Sequence, residues 1–147
     1  MSAAPKSAAP VVDLAPRLRA AVTRLNRRLR SSSLDVVSPA KASALAMIER
    51  LGAPALNELA AAEQVRPPSM TRLIDSLEED GLVQRRVDEV DRRCQRVTLT
   101  AAGRRALTVI RSKKTAFLEE RLGALSDDEL AAIGQAVGIL ERLSEDQ

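Results

Sequence analysis

The sequence predicts a mainly α-helical protein with one small β-hairpin. Three observations carry that reading. Apolar residues recur with a helical period of about 3.6 along most of the 147-residue chain. That period gives way to short β-branched runs only at 82–87 (LVQRRV) and 96–100 (RVTLT). Ser38-Pro39, Gly52, Pro67-Pro68 and Gly81 stand where successive helices should start or stop.

From Asp13 to Arg30, Leu14, Leu18, Val22, Leu25 and Leu29 form one helical stripe, surrounded by Arg17, Arg19, Arg24, Arg27, Arg28 and Arg30. The preceding residues 1–12, MSAAPKSAAPVV, read as a flexible arm. After the break SSSLDVVSP, Ser38 is a good N-cap and Pro39 suits the first helical position, so a second helix should run to Arg50 and stop at Gly52. A short helix follows over Ala55–Gln64. The next, from Pro67 to about Asp80, carries Met70, Leu73, Ile74 and Leu77 on its apolar side, and Gly81 is placed to cap it. The two β runs enclose the polar loop DEVDRRCQ and read as a hairpin. Thr100 then caps a long helix to about Leu122, anchored by Leu107, Ile110, Phe117 and Leu118. SDDE at 126–129 matches a capping box, opening a last helix to Ser144 with the stripe Leu130, Ile133, Val137, Leu140 and Leu143.

Composition narrows the chemistry. Histidine is absent, which removes His-dependent triads and most zinc sites. The lone Cys94 excludes an intramolecular disulfide and any multi-cysteine metal cluster. No paired carboxylates or ligand spacings stand out, so the expectation is a non-enzyme without a cofactor. No run approaches the ~20 apolar residues of a membrane span, and the N-terminus lacks a signal-peptide core, so a cytoplasmic protein is expected. Charge is divided unevenly: residues 1–118 carry a net +9 and residues 119–147 a net −6. Arginine supplies 19 of the 23 cationic side chains. Two readings of this basic body stand side by side, a surface for a polyanion such as nucleic acid and long helices with solvated arginines.

The order helix, helix, helix, strand, loop, strand is that of a winged helix-turn-helix, here over about 38–99 within a single domain, 13–147. Helices over about 13–31 and 100–145 flank it. A recognition helix enters the major groove by its first turn. The candidate contacts there are Arg66, Pro68, Ser69, Met70, Thr71 and Arg72. Arg72 suits bidentate guanine binding, with a phosphate-only or solvated arginine as the alternative. At the far end of the hairpin loop, Asp91, Arg92 and Arg93 suit the narrow minor groove, where negative potential is strongest. Asp91, two residues before Arg93, can hold that guanidinium extended through a charge-assisted bond. Pro67 and Pro68 fix φ and lack N–H groups, which lessens the capping need but removes two backbone donors to phosphate; Arg66 is the side chain placed to compensate.

Residues 56–103, including NELAAAEQVRPPSMTRLIDSLEEDGLVQRRVDEVDRRCQRVTLTAAG, resemble the MarR (multiple antibiotic resistance regulator) family. SMTRLIDSLEEDGLV, the DRR element and LTAAG carry the match together. The resemblance implies a homodimeric transcriptional regulator, usually a repressor, on a pseudo-palindromic double-stranded DNA operator. Pro67–Asp80 would then be the recognition helix, Arg93 the minor-groove residue oriented by Asp91, and Arg72 a major-groove residue. Arg85 would support DNA binding or the wing itself.

Packing the terminal stripes on a second copy buries both, and Leu14, Leu18, Leu25, Phe117, Leu130, Ile133, Val137 and Leu140 are the expected dimer residues. Two-fold symmetry then sets the recognition helices about 34 Å apart, one turn of B-DNA. The alternative is a monomer whose terminal helices fold back on the winged unit. The family resemblance also implies a small-molecule effector, which here would meet aliphatic residues with Arg, Ser or Asn as polar handles. Cys94 beside the wing arginines reads either as a passive residue at the strand entry or as an oxidant sensor. A winged-helix adaptor or anti-repressor with little DNA affinity remains the rival to the DNA-binding reading.

Overall fold

The computed structural model describes residues 8–145 and contains eight elements: α1 (Ala8–Ser31), α2 (Pro39–Leu51), α3 (Leu56–Ala62), α4 (Pro67–Glu79), β1 (Val83–Val87), β2 (Gln95–Leu99), α5 (Ala101–Leu122) and α6 (Asp127–Ser144). The expected arm over residues 1–12 is corrected at its C-terminal end. Helix α1 is already formed at Ala8, the first described residue, and it runs through Pro10 and Pro16. The remainder of that arm lies outside the described residues.

The caps read from the sequence are in place. Ser38 Oγ accepts from Lys41 N at 3.3 Å, and Pro39 is the first residue of α2. Gly52, at φ +85°, ends that helix by donating its N–H to Ile48 O at 3.0 Å. Gly81, at φ +73°, closes α4, and the next N–H, that of Leu82, reaches back to Leu77 O at 3.0 Å. In the capping box before α6, Ser126 Oγ accepts from Glu129 N and Glu129 Oε2 accepts from Ser126 N.

The strands pair antiparallel from Val83↔Leu99 to Val87↔Gln95. Ala55, expected to start a helix, is instead extended and bridges to Arg96, while Val97 N donates to Pro54 O at 2.9 Å. The segment before α3 thus acts as a one-residue third strand and seats the wing on the helical body.

One apolar cluster holds these parts together. Leu45, Ile48, Leu59, Met70, Ile74, Leu77, Val83, Val97, Leu107 and Ile110 are all buried in it. Each large side chain removed from water contributes about 1.5–3 kcal/mol, so this cluster is the main source of cohesion in the winged unit. Leu107 and Ile110 bring the first turns of α5 into this core, so the expected division at residue 100 between winged unit and flanking helices falls too early.

Gly103 shows why the LTAAG turn is built as it is. A Cβ there would stand 2.0 Å from Leu82 O, so α5 can cross the entry of β1 only without a side chain. Thr100 locks the same crossing: its hydroxyl donates to Gly81 O at 2.6 Å and accepts from Gly103 N at 3.0 Å.

The two ends behave differently. Helix α6 buries none of its residues, and its stripe runs from 38% exposed at Leu130 to 68% at Leu143. Along α1, Leu14, Val22 and Leu25 are exposed and Leu18 is half-buried.

Candidate nucleic-acid interface

Helix α4 separates its two faces sharply. Arg66, Pro67, Pro68, Ser69, Thr71 and Arg72 are exposed, while Met70, Ile74 and Leu77 are buried. The expectation that Met70 joins the groove contacts is corrected: it is 1% exposed and belongs to the core. Its place in the first turn is incidental to its direction, which points at the core cluster. Arg66 is the N-cap residue and makes no side-chain capping bond, with prolines in the following two positions. Its guanidinium therefore has no task in capping the helix. Thr71 Oγ1 donates to Pro67 O at 3.0 Å, which leaves its lone pairs facing outward as acceptors.

Arg85 is placed away from solvent, its side chain 18% exposed. One guanidinium nitrogen donates to Glu78 Oε1 at 3.1 Å, and another pairs with Asp75. Both carboxylates lie on α4, and Glu78 Oε2 also accepts from Arg85 N at 3.3 Å. Of the two roles the family pattern offered, the observed contacts are those of a tie between β1 and α4. Asp75 and Glu78 were not singled out in the sequence, because only the fold brings them to Arg85.

At the wing tip Asp91 and Arg93 meet as their spacing suggested. Arg93 Nε donates to Asp91 Oδ1 at 3.2 Å and Arg93 N to the same oxygen at 3.1 Å. Those two donors hold the Asp91 carboxyl below its ordinary value, the side-chain bond contributing most. Arg93 itself is 92% exposed, so the pair is a restraint on an outward-facing cation rather than a buried bridge. Arg92 is exposed beside it. Cys94 is half-buried; its backbone N–H donates to Asp91 O at 2.9 Å and its thiol to Asp91 Oδ2 at 3.7 Å.

The base of the wing holds a network that sequence reasoning missed. Asp88 Oδ2 accepts from Arg96 Nε at 2.7 Å, and Asp88 Oδ1 accepts from Val90 N at 2.7 Å and Asp91 N at 3.2 Å. Together these donors, Arg96 foremost, bring the Asp88 carboxyl down to about 2. Arg96 also reaches Glu58 Oε2 at 3.1 Å and Ala53 O at 3.4 Å. Glu58 lies 38 residues away, too far for any local pattern to reveal.

A cavity of about 320 Å³ opens between α1, α2 and α5, lined by Asn26, Arg30, Ser33, Ser43, Ala46 and Lys114 among others. Among the described residues no group of three or more His, Cys, Asp or Glu is arranged to hold a metal. No described helix is long and apolar enough to cross a membrane.

Comparison with known proteins places this geometry. Residues 37–95 match the model of the MarR family. An HTH-type transcriptional regulator of Mycobacterium leprae is 37% identical over 131 residues, covering 88% of this chain and 92% of that protein. The crystal structure of a transcriptional regulator from Pseudomonas aeruginosa superposes with a TM-score of 0.82 at 34% identity, covering 94% of this chain and 98% of that one. A mutant of S. aureus MepR bound to an oligodeoxyribonucleotide shares the fold, with a TM-score of 0.68 at 18% identity over 89% of this chain and 98% of that one.

Proposed function

The chain belongs to the MarR family of DNA-binding transcriptional regulators, and on that premise we propose that it is a homodimeric repressor of a pseudo-palindromic operator. Helix α4 enters the major groove by its first turn, where Arg66, Ser69, Thr71 and Arg72 meet bases and phosphates. The wing enters the minor groove through Arg92 and Arg93. The observation that carries this reading is the wing tip: a cation 92% exposed yet restrained by hydrogen bonds to Asp91. A guanidinium restrained before binding loses less conformational entropy on entering a groove. The S. aureus relative's complex with an oligodeoxyribonucleotide supports the same use of the fold.

The open stripes of α1 and α6 are the surface on which two copies join, bringing Leu14, Leu25, Leu130, Ile133, Val137 and Leu140 out of water. Half-buried Leu18 and Phe117 complete that surface. The cavity beside Arg30 and Lys114 accepts a small anionic effector, because two cations and the hydroxyls of Ser33 and Ser43 line it. An occupant there sits between a dimerisation helix and α2, where it can change the spacing of the recognition helices.

The test is a fluorescence-anisotropy titration against the chain's own upstream DNA and a shuffled duplex at two salt concentrations. Specific binding with two protomers per site, weakening steeply as salt rises, is the expected result. Arg93→Ala should weaken binding about tenfold or more, and Arg72→Ala should reduce discrimination between bases by about 1–3 kcal/mol. Equal, weak binding to both duplexes, repeated on sites selected from random sequence, contradicts the reading.

A further inference from the structure

We propose that Arg96 and Asp88 are positioning residues for the wing, forming a brace from Glu58 of α3 to the minor-groove arginine, so that Arg93 reaches DNA already oriented. The proposal rests on the reading of the wing as a DNA contact.

The brace can be followed atom by atom. Glu58 Oε2 accepts from Ala55 N at 2.9 Å at the start of α3, and the same oxygen accepts from Arg96 Nη1 at 3.1 Å. Arg96 Nε donates to Asp88 Oδ2 at 2.7 Å. The other Asp88 oxygen takes the N–H groups of Val90 and Asp91 and so bends the loop at the tip. Asp88 N in turn donates to Cys94 O, and Cys94 N to Asp91 O, both at 2.9 Å. Asp91, fixed by this loop, grips Arg93.

Burial distinguishes the Asp88–Arg96 link from an ordinary surface ion pair, whereas the Glu58 end of the brace is 55% exposed. The Asp88 side chain is only 15% exposed, although it stands at the root of a charged loop. A two-stranded hairpin is marginal on its own, and the backbone rungs of β1 and β2 do not set its angle to the helices. Those tasks are shared by the Arg85 tie from β1 to α4, the Pro54–Val97 rung and Arg96, and of these only Arg96 connects to the loop at the tip. A guanidinium can satisfy two carboxylates and a carbonyl at once because its donors fan out in one plane; a lysine ammonium cannot reproduce that geometry.

The charges make the test decisive. Asp88→Asn removes a negative charge near the DNA, so electrostatics alone predicts tighter binding. The brace predicts the opposite, because an asparagine amide sets an N–H₂ group where Arg96 Nε needs an acceptor, leaving Arg96 with Glu58 alone and uncoupling the tip from it. Affinities for a selected operator are measured for the intact chain, Asp88→Asn, Arg96→Gln, Arg93→Ala and the two double variants with Arg93→Ala. Helical circular dichroism checks that each remains folded.

The expected result is roughly fivefold to tenfold weaker binding for Asp88→Asn and for Arg96→Gln, with little further loss when either is added to Arg93→Ala. Asp88→Asn binding as tightly as the intact chain, or more tightly, overturns the brace. So does a penalty that persists undiminished without Arg93, since it would place Arg96 on phosphate directly. If Arg93→Ala itself binds normally, the wing reading fails along with the brace, an outcome separate from the other two.

Discussion

Residues 38–110 and the two terminal helices handle apolar surface in opposite ways. In the middle, Leu45, Ile48, Leu59, Ile74, Leu77 and Ile110 close on one another within a single chain. At the ends, Leu14, Val22 and Leu25 of α1 and the whole Leu130–Leu143 stripe of α6 remain open. Both regions show helical periodicity, so periodicity alone does not tell a core closed within the chain from a stripe left exposed. What separates them is the density of connections. Helices α2, α3 and α4 are joined by tight turns and covered by the hairpin, whereas α1 and α6 lie at the two ends of the chain.

The sharpest way to break that contrast is to place a charge on the open stripe. Ile133→Asp should leave the winged core intact yet weaken self-association by about 4 kcal/mol, because a carboxylate would be buried without a partner in the dimer. Sedimentation velocity across a concentration series reads this directly. Unchanged association would remove α6 from the interface.

The same contrast predicts damage of another kind in the middle. Gly103→Ala forces a methyl against the Leu82 backbone and should destabilise the fold by about 3 kcal/mol, seen as a lowered thermal midpoint. Arg85→Ala should act more gently, costing about 1 kcal/mol of stability while leaving Asp75 and Glu78 without their shared partner. Denaturant titration with an unchanged slope would identify that loss as stability alone.

The smallest expected effect is acid sensitivity at the wing. The folded Asp88 carboxyl sits at about 2, below its ordinary 3.8. Its contribution to stability is therefore full above the ordinary value and is lost as pH falls towards the folded one. Thermal midpoints between about pH 5 and about pH 2 should fall less steeply in Asp88→Asn than in the intact chain. Parallel curves would show that Asp88 carries no folding linkage.

Much of this architecture is legible in the sequence because its signals are local. Ser38-Pro39, Gly81, Thr100 and SDDE each mark a helix end within a few residues of the cap they form. Asp91 and Arg93 are equally legible, since a spacing of two residues brings carboxylate and guanidinium together in a tight loop. The signals fail where the fold joins distant segments. Nothing near Arg96 announces Glu58, and Arg85 finds Asp75 and Glu78 only once β1 lies beside α4. Met70 shows a different conflict: its place in the first turn suggests a groove contact and its place on the apolar stripe suggests the core, and the core wins. Helix α1 also extends ahead of the stripe that opens at Leu14, because the helix runs on through Pro10 and Pro16, residues that ordinarily signal a break.

Completion of the open ends by a second copy of the chain is the proposal on which the operator geometry depends. Sedimentation equilibrium of the intact protein at micromolar concentration tests it without DNA, effector or substitution. The account predicts a single species of twice the chain mass. A species of one chain mass, stable and fully helical with α6 still exposed, would contradict it.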